Sequence, residues 1–537
     1  MDGIDMRKFW RRGEPYVWAT GMTLSIIISM TALLLFVVIA NGIGVFWPQR
    51  LLLVTMNDGK AQLGELAQEE MASSQGPRLQ LKIGNREFNG LDFTWISGAD
   101  IRARSYPEGV YAVERQEYGN FYGTLQEVHT PELSVTAENG GLDQALRQAR
   151  QGIQQLVTAQ TEITARFNAM NSAVDQIDQK LARYRYQHMD AHDPRITALQ
   201  QQAETLKAKF AELVSEGTSN KEQQSGYYAL FKTADDRESK ILIANIVRLY
   251  QPNRMTFGQK GRFYGEKLIE LFTANPREAN TEGGLFPAIF GTVILVFLMS
   301  ILSFPLGVIA GIYLREYAHE GILVKIVRIA VNNLAGIPSI VYGIFGLGFF
   351  VYGIGGTIDQ LFFPERLPSP TFGTGGLLWA SLTLGLLTIP VVIVATEEAL
   401  GSIPPTIREG SLALGATRFQ TLTRLLLPMA SPGIMTGFIL AMARAAGEVA
   451  PLMITGVVKL APALPLDGQF PFVHLNRKFM HLGFHIYDIG FQSPNVEAAK
   501  PMVYVTTLLL ILIVLTLCSL AIYFRNKMRQ RYAIADV

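Results

Sequence analysis

The chain has 537 residues, of which 49% are apolar and only 17% charged, and its mean hydropathy is positive. A formal charge of +2 with no basic patch interleaved with aromatics argues against nucleic-acid binding. A single cysteine, Cys518, rules out an internal disulfide or a Cys-rich metal site. Long stretches of Leu, Ile, Val, Phe and Gly carry no charge, the composition of a membrane protein with a soluble insert.

In chain order, a basic leader with Arg7, Lys8, Arg11 and Arg12 precedes an apolar segment over 17–45. A hydrocarbon core about 30 Å thick needs about 20 apolar residues in a helix, and a cleaved signal peptide has a shorter apolar core. Residues 1–47 therefore read as a cytoplasmic N-terminus and an uncleaved transmembrane anchor. Residues 48–282 read as an external insert. Within it, 51–135 is β-rich: Leu79, Leu81 and Ile83 alternate with polar neighbours, and 92–96, 109–113 and 120–128 are aromatic or β-branched runs broken by Gly, Asn and Pro.

Over 140–215 the pattern changes. Leu142, Leu146, Ala149, Ile153, Leu156, Ile163, Phe167, Met170, Val174, Ile177 and Leu181 follow a four-three alternation, with Gln160 in the one polar slot. A break at 187–194 is followed by Ile196, Leu199, Ala203, Leu206, Phe210 and Leu213. The spacing predicts two helices zipped as an antiparallel coiled-coil hairpin, serving as a spacer or as a docking arm. Residues 216–282 read as a linker, with a helical segment near 235–250.

Five further apolar segments follow at 285–314, 334–352, 377–395, 433–456 and 502–524. With the N-terminus inside, the short inside segments carry fourteen Lys and Arg in 85 residues, and the short outside loops five in 68. Positive residues favour the cytoplasmic side, so both termini are expected inside and the insert outside, in the periplasm.

The expected cytoplasmic loop 397–432 contains Glu409-Gly410-Ser411, three residues, Gly415, nine residues, Leu425, one residue, then Leu427-Pro428. It resembles the signature loop of ABC importer permeases, whose general form is Glu-Ala-Ala, three residues, Gly, nine residues, Ile, one residue, Leu-Pro. Gly410 and Ser411 replace the alanines and Leu425 the isoleucine. The loop reads as a short helix, a turn at Gly415, and a second short helix ended by Pro428. Such an element could transmit motion from a nucleotide-binding partner, or be an interfacial helix without that role. No Gly-rich phosphate loop ending in Gly-Lys-Ser/Thr occurs, so ATP hydrolysis is expected on a separate subunit, which would carry the ATP and Mg. No cofactor or metal is expected in this chain.

In the fifth segment, Arg444 and Glu448 are four residues apart, hence on one helix face. Ionised residues at membrane depth are costly and face a cavity or each other. Here the chain resembles phosphate-transporter permeases of the PstA type, in a long form with an extended N-terminal region. The runs Pro305 to Leu314, Ala335 to Gly343 and Thr281 to Thr292 carry the same resemblance, which covers about 282–525. It implies an all-α polytopic membrane protein of the type I importer permease fold with six transmembrane helices, 283–537 holding five of them, plus an external α+β insert.

The resemblance further implies that Arg444 and Glu448 act on the anion, that Arg408, Glu409, Gly415, Leu427 and Pro428 couple to the ATPase, and that Arg408 holds a position linked to transport. The partners implied are a second permease, an ATPase dimer and a periplasmic phosphate-binding protein. Arg444 and Glu448 could instead only neutralise each other, and Arg408 could be a solvated charge. Another oxyanion is an alternative cargo, and a membrane sensor using the insert is an alternative class. His474, His481 and His485 lack the partners of a metal site and suit a packed outer gate, while Glu397 and Glu398 are expected to face water.

Overall fold

The computed structural model describes residues 10–532 apart from 12, 73–75, 191, 278–279, 469, 471 and 494–495. The leader residues Arg7, Lys8 and Arg12 lie outside the described residues. Among the described residues six helices are long and apolar enough to cross a membrane: Glu14–Phe46, Phe286–Tyr317, Ser339–Phe362, Leu377–Gly401, Arg418–Gly447 and Val496–Gln530, here the first to sixth spans.

The fourth span is the hub. Its apolar window is 67% buried, whereas that of the first is 6% buried. Between helices in lipid there is no hydrophobic drive, so close approach depends on small residues. Gly307 and Gly311 of the second span lie against Val392 and Thr396, and a Cβ at either would come within 2.7 Å of those side chains. Gly433 and Gly437 of the fifth span lie against Ala399 and Ala395 on the same helix, where a Cβ would meet Ala399 at 2.6 Å and Ala395 at 2.3 Å. Two Gly-xxx-Gly pairs thus clasp one central helix. Gly437→Val should destabilise the bundle by about 1–3 kcal/mol, the usual cost of overpacking. Thermal melts in detergent would check this against Gly21→Val on the first span, where a Cβ meets nothing within 4 Å.

The insert is built on two antiparallel sheets. The first runs β4 (Phe93–Ser97), β3 (Gly76–Lys82), β2 (Ala61–Ala72), β1 (Leu51–Met56), β5 (Ile101–Ser105). The second runs β10 (Glu238–Leu242), β9 (Tyr228–Lys232), β7 (Phe121–His129), β6 (Tyr111–Arg115), β11 (Ile246–Tyr250), with β8 (Ser134–Thr136) on β7. The expected helix at 235–250 is therefore wrong. In β10, Ser239 and Ile241 are buried while Glu238 and Lys240 are exposed, the alternation of a half-buried strand. Residues 216–282 are not a plain linker: they hold the end of the second hairpin helix, three strands of the second sheet, and a helix at Phe257–Thr273 capped by Thr256 and Gln259.

Between β8 and β9 the chain makes a long excursion, two helices at Leu142–Tyr186 and Pro194–Ser225. Asp193 caps the second by accepting from the Arg195 N–H. They run antiparallel. Phe167 and Phe210 meet as a tilted ring pair 4.6 Å apart, and Ile177 and Leu181 pack with Ile196 and Ala203. Gln160, in the polar slot, accepts from Asn220 Nδ2 at 2.9 Å. The first part of the stripe faces elsewhere: Leu146, Ala149 and Ile153 pack on the second sheet with Phe121 and Phe231. Further out, Gln179 accepts from Arg366 in the loop between the third and fourth spans. The long helix thus reaches from the sheet back to the membrane bundle.

Candidate transport path and coupling element

The fifth span is made as one helix from Arg418, against the expectation of a short helix ended at Pro428. A wider π-type turn at Leu422–Leu426 precedes Leu427–Gly447. Pro428 has no N–H to give the carbonyl of Arg424, and the shifted register of that turn absorbs the missing bond. Leu427 packs partly buried among Leu400, Leu422, Leu426 and Ala430.

Where the helix does stop is Gly447. Pro451 can neither bond to nor clear the carbonyl four residues back, which is that of Gly447. Glu448 caps the helix in an extended conformation, and a short helix resumes over Ala450–Thr455. Arg444 and Glu448 are therefore not on one continuous helix face, as the spacing suggested. They meet across a break, with Arg444 Nε 3.5 Å from Glu448 Oε1. Arg444 sits in the last turn, where a cation is favoured by the helix dipole. Its side chain is 34% exposed and that of Glu448 20%. Among the described residues neither Nη nitrogen of Arg444 has a hydrogen-bond partner. A broken helix carrying an ion pair at membrane depth is a form that transport proteins use to meet ions.

The run at 335–343 comes to this break. Gly343 allows the third span within contact of Pro451, where a Cβ would stand 2.8 Å from its Cα. Tyr342 donates to the carbonyl of Leu334 at 2.7 Å and packs with Ala445 and Leu452.

The loop between the fourth and fifth spans begins with a helix over Pro405–Ala413. It ends on Gly415 at φ 85°, with Gly415 N–H donating to Leu412 O and Ala416 N–H to Ser411 O. This left-handed cap suits glycine. Thr417 then starts the next helix in a capping box with Gln420, and the Ser411 and Thr421 hydroxyls lie 2.9 Å apart across the turn. Glu409 is exposed. Arg408 is not a solvated charge: it donates to Glu316 at 2.8 Å and to the carbonyls of Leu400 and Ile403. Arg328 likewise binds Glu397 at 3.3 Å and the carbonyl of Leu314, so Glu397 does not simply face water. The second and fourth spans and the loop helix are thus tied together at one end of the bundle. Leu414 is 90% exposed and Phe419 66% exposed at the tip. Sequence reading did not single out these two exposed apolar residues or the Glu316 partner, although Leu414 and Phe419 flanking the Gly415 turn were a visible pattern.

On the opposite side, His481 and His485 are buried, and burial is the main cause pushing each down to about 4, so both are neutral near pH 7. His481 Nδ1 accepts from Gly483 N–H, and His474 bonds Asp467 at 2.8 Å. Among the described residues no cluster of three or more His, Cys, Asp or Glu is placed to hold a metal.

A six-span helical membrane protein with an ion pair at a broken helix and an exposed helix–turn–helix has the form of a transport-system membrane subunit. The profile of the binding-protein-dependent transport system inner membrane component family matches residues 303–532. The phosphate transport system permease protein PstA of Yersinia pestis is 34% identical over 262 residues, 48% of this chain and 79% of that protein. The probable PstA of Methanocaldococcus jannaschii is 33% identical over 40% of this chain and 67% of its own length. The probable ABC transporter permease protein YqgH of Bacillus subtilis is 35% identical, over 38% of this chain and 63% of that protein. The chain belongs to the family of binding-protein-dependent transport system inner membrane components.

Among solved structures, a chain of the MetNI methionine ABC transporter is 19% identical, with 46% of this chain and 95% of that chain covered and a TM-score of 0.33. A chain of a bacterial transporter importing alginate is 15% identical, with 49% and 83% covered and a TM-score of 0.37.

Proposed function

We propose that this chain is the permease subunit of an ATP-driven importer that moves inorganic phosphate across the bacterial inner membrane. Residues 48–282 would lie in the periplasm and both termini in the cytoplasm. A periplasmic phosphate-binding protein would deliver the anion, a second permease would complete the path, and an ATPase dimer holding ATP and Mg would drive it through the 405–421 element. Catalysis of ATP hydrolysis would sit wholly on that dimer.

The observation that carries the cargo assignment is the Arg444–Glu448 pair at the helix break. A guanidinium is a permanent fork for two phosphate oxygens, and the nearest approach of Arg444 to Glu448 is a loose 3.5 Å, from Nε to Oε1. Glu448 would repel an anion that has no proton to offer. Hydrogen phosphate carries one and sulfate does not, so the carboxylate would accept that hydrogen bond and select phosphate. The PstA relatives support the same cargo.

Glu448→Gln tests this. An amide can donate to sulfate, so phosphate-over-sulfate preference in vesicle uptake should fall about tenfold or more, the worth of one charged hydrogen bond. Unchanged preference would remove Glu448 from selectivity. Competition by molybdate or sulfate against the unaltered chain would instead favour another oxyanion as cargo.

A further inference from the structure

A cavity of about 610 Å³ lies well away from Arg444, where the insert meets the membrane bundle. One wall is the insert-side end of the first span, including Ala40, Gly44, Val45 and Phe46, and the start of the sixth, including Pro501 and Met502. The facing wall is the insert and the 281–283 stretch. Four cations line it, Lys82, Arg86, Lys267 and Lys500, against four acids, Glu65, Asp92, Glu114 and Glu282.

Some of these charges are already satisfied. Lys267 binds Glu114 at 2.7 Å, and Glu65 accepts from the Tyr122 hydroxyl at 2.9 Å. Lys82 and Glu282 are different: among the described residues neither side chain makes a hydrogen bond or ion pair. Burial pulls the Lys82 ammonium down, but Glu65, Glu282, Asp92 and Glu114 outweigh it and hold the group charged. Burial pushes Glu282 up, against the pull of Lys82. A half-buried cation and carboxylate on one cavity wall that do not close on each other leave each able to take an ionic partner from the cavity.

The setting selects the kind of zwitterion. Ala40, Asn41 and Gly44 are exposed, so the mouth opens on the lipid-facing side of the first span. Trp47 and Tyr504 also line the cavity, as amphipathic rings do at the headgroup level. The first span stands off the bundle, with Gly42 resting on Leu508 and the carbonyl of Tyr504, and leaves a groove beside the sixth. We propose that this cavity binds the headgroup of a phosphoethanolamine phospholipid. The phosphate faces Lys82 with Lys500 nearby, the ammonium faces Glu282 and Glu65, and the acyl chains lie along the first and sixth spans. A choline head has no N–H to give these carboxylates.

Full-length protein reconstituted in vesicles of phosphatidylethanolamine with phosphatidylglycerol, or phosphatidylcholine with phosphatidylglycerol, can be extracted, stripped with detergent and weighed by native mass spectrometry. The expected result is one phosphatidylethanolamine retained, at least about tenfold over the other two lipids, and not displaced by free phosphoethanolamine. The double change Lys82→Met with Glu282→Gln should abolish that excess. Should the double variant misfold, Lys500→Gln should lower retention about threefold while the melting temperature without lipid stays unchanged. Equal retention of all three lipids would overturn the proposal. So would displacement by the free headgroup, which would mark a soluble zwitterion site, or a cavity filled by a side chain of a second permease in the assembled complex.

Discussion

Arg444→Gln is expected to lower phosphate uptake by at least about 30-fold in vesicles holding the complete complex. The estimate follows from losing one charge-assisted, fork-shaped contact, about 2–5 kcal/mol when such a group is desolvated, at 1.4 kcal/mol per tenfold. The change removes the charge while keeping much of the side chain's length. Arg444 is a third exposed in the single chain and its one ion pair among the described residues is with Glu448 at 3.5 Å, so folding and assembly should persist and ATPase binding should be unaltered. Uptake unaffected by this change, with the complex intact, would confine the pair to mutual neutralisation. Arg444→Lys should recover only part of the rate, because a point charge does not reproduce the fork.

The second large effect belongs at the other end of the fifth span. If the loop docks on ATPase subunits as proposed, Leu414→Asp combined with Phe419→Asp should abolish their co-purification, since each would place a charge in the proposed contact. Both residues are largely exposed at the loop tip, and neither is needed by the Schellman-type turn or the Thr417 capping box beneath them. Helix content and membrane insertion should therefore be unchanged. Retained association at wild-type strength would argue for an interfacial element that couples to nothing.

These two sites were legible in the sequence to different degrees, for physical reasons. Membrane spans are long and nearly uncharged because lipid leaves no alternative partner for polar groups, and Gly415 and Thr417 write a local turn into adjacent residues. The break at Gly447 was also legible in principle. Pro451 stands four residues on, but the i,i+4 spacing of Arg444 and Glu448 suggested an unbroken helix and drew attention away from it. Pro428 misled in the opposite sense, because the π-type turn at Leu422–Leu426 that accommodates it has no sequence signature.

The remaining differences come from long-range pairing. Strands β9 and β11 return to β7 and β6 across the hairpin, so their partners cannot be read from local pattern. The hairpin stripe looked uniform, yet Leu146 to Ile153 serve a sheet and Ile163 to Leu181 serve a second helix. That Arg408 could be a solvated charge stayed open in the sequence because its partner, Glu316, lies ninety-two residues away. The cavity beneath the insert is drawn from both ends of the chain and carries no local mark.

The proposed role of the chain in phosphate import is tested most directly by uptake of radiolabelled phosphate into vesicles. They would contain this chain, a second permease, the ATPase dimer and a phosphate-binding protein. Uptake should need ATP and this chain together, and excess sulfate should not compete it away. Uptake that proceeds equally without this chain, or that sulfate suppresses as well as phosphate does, would contradict that role.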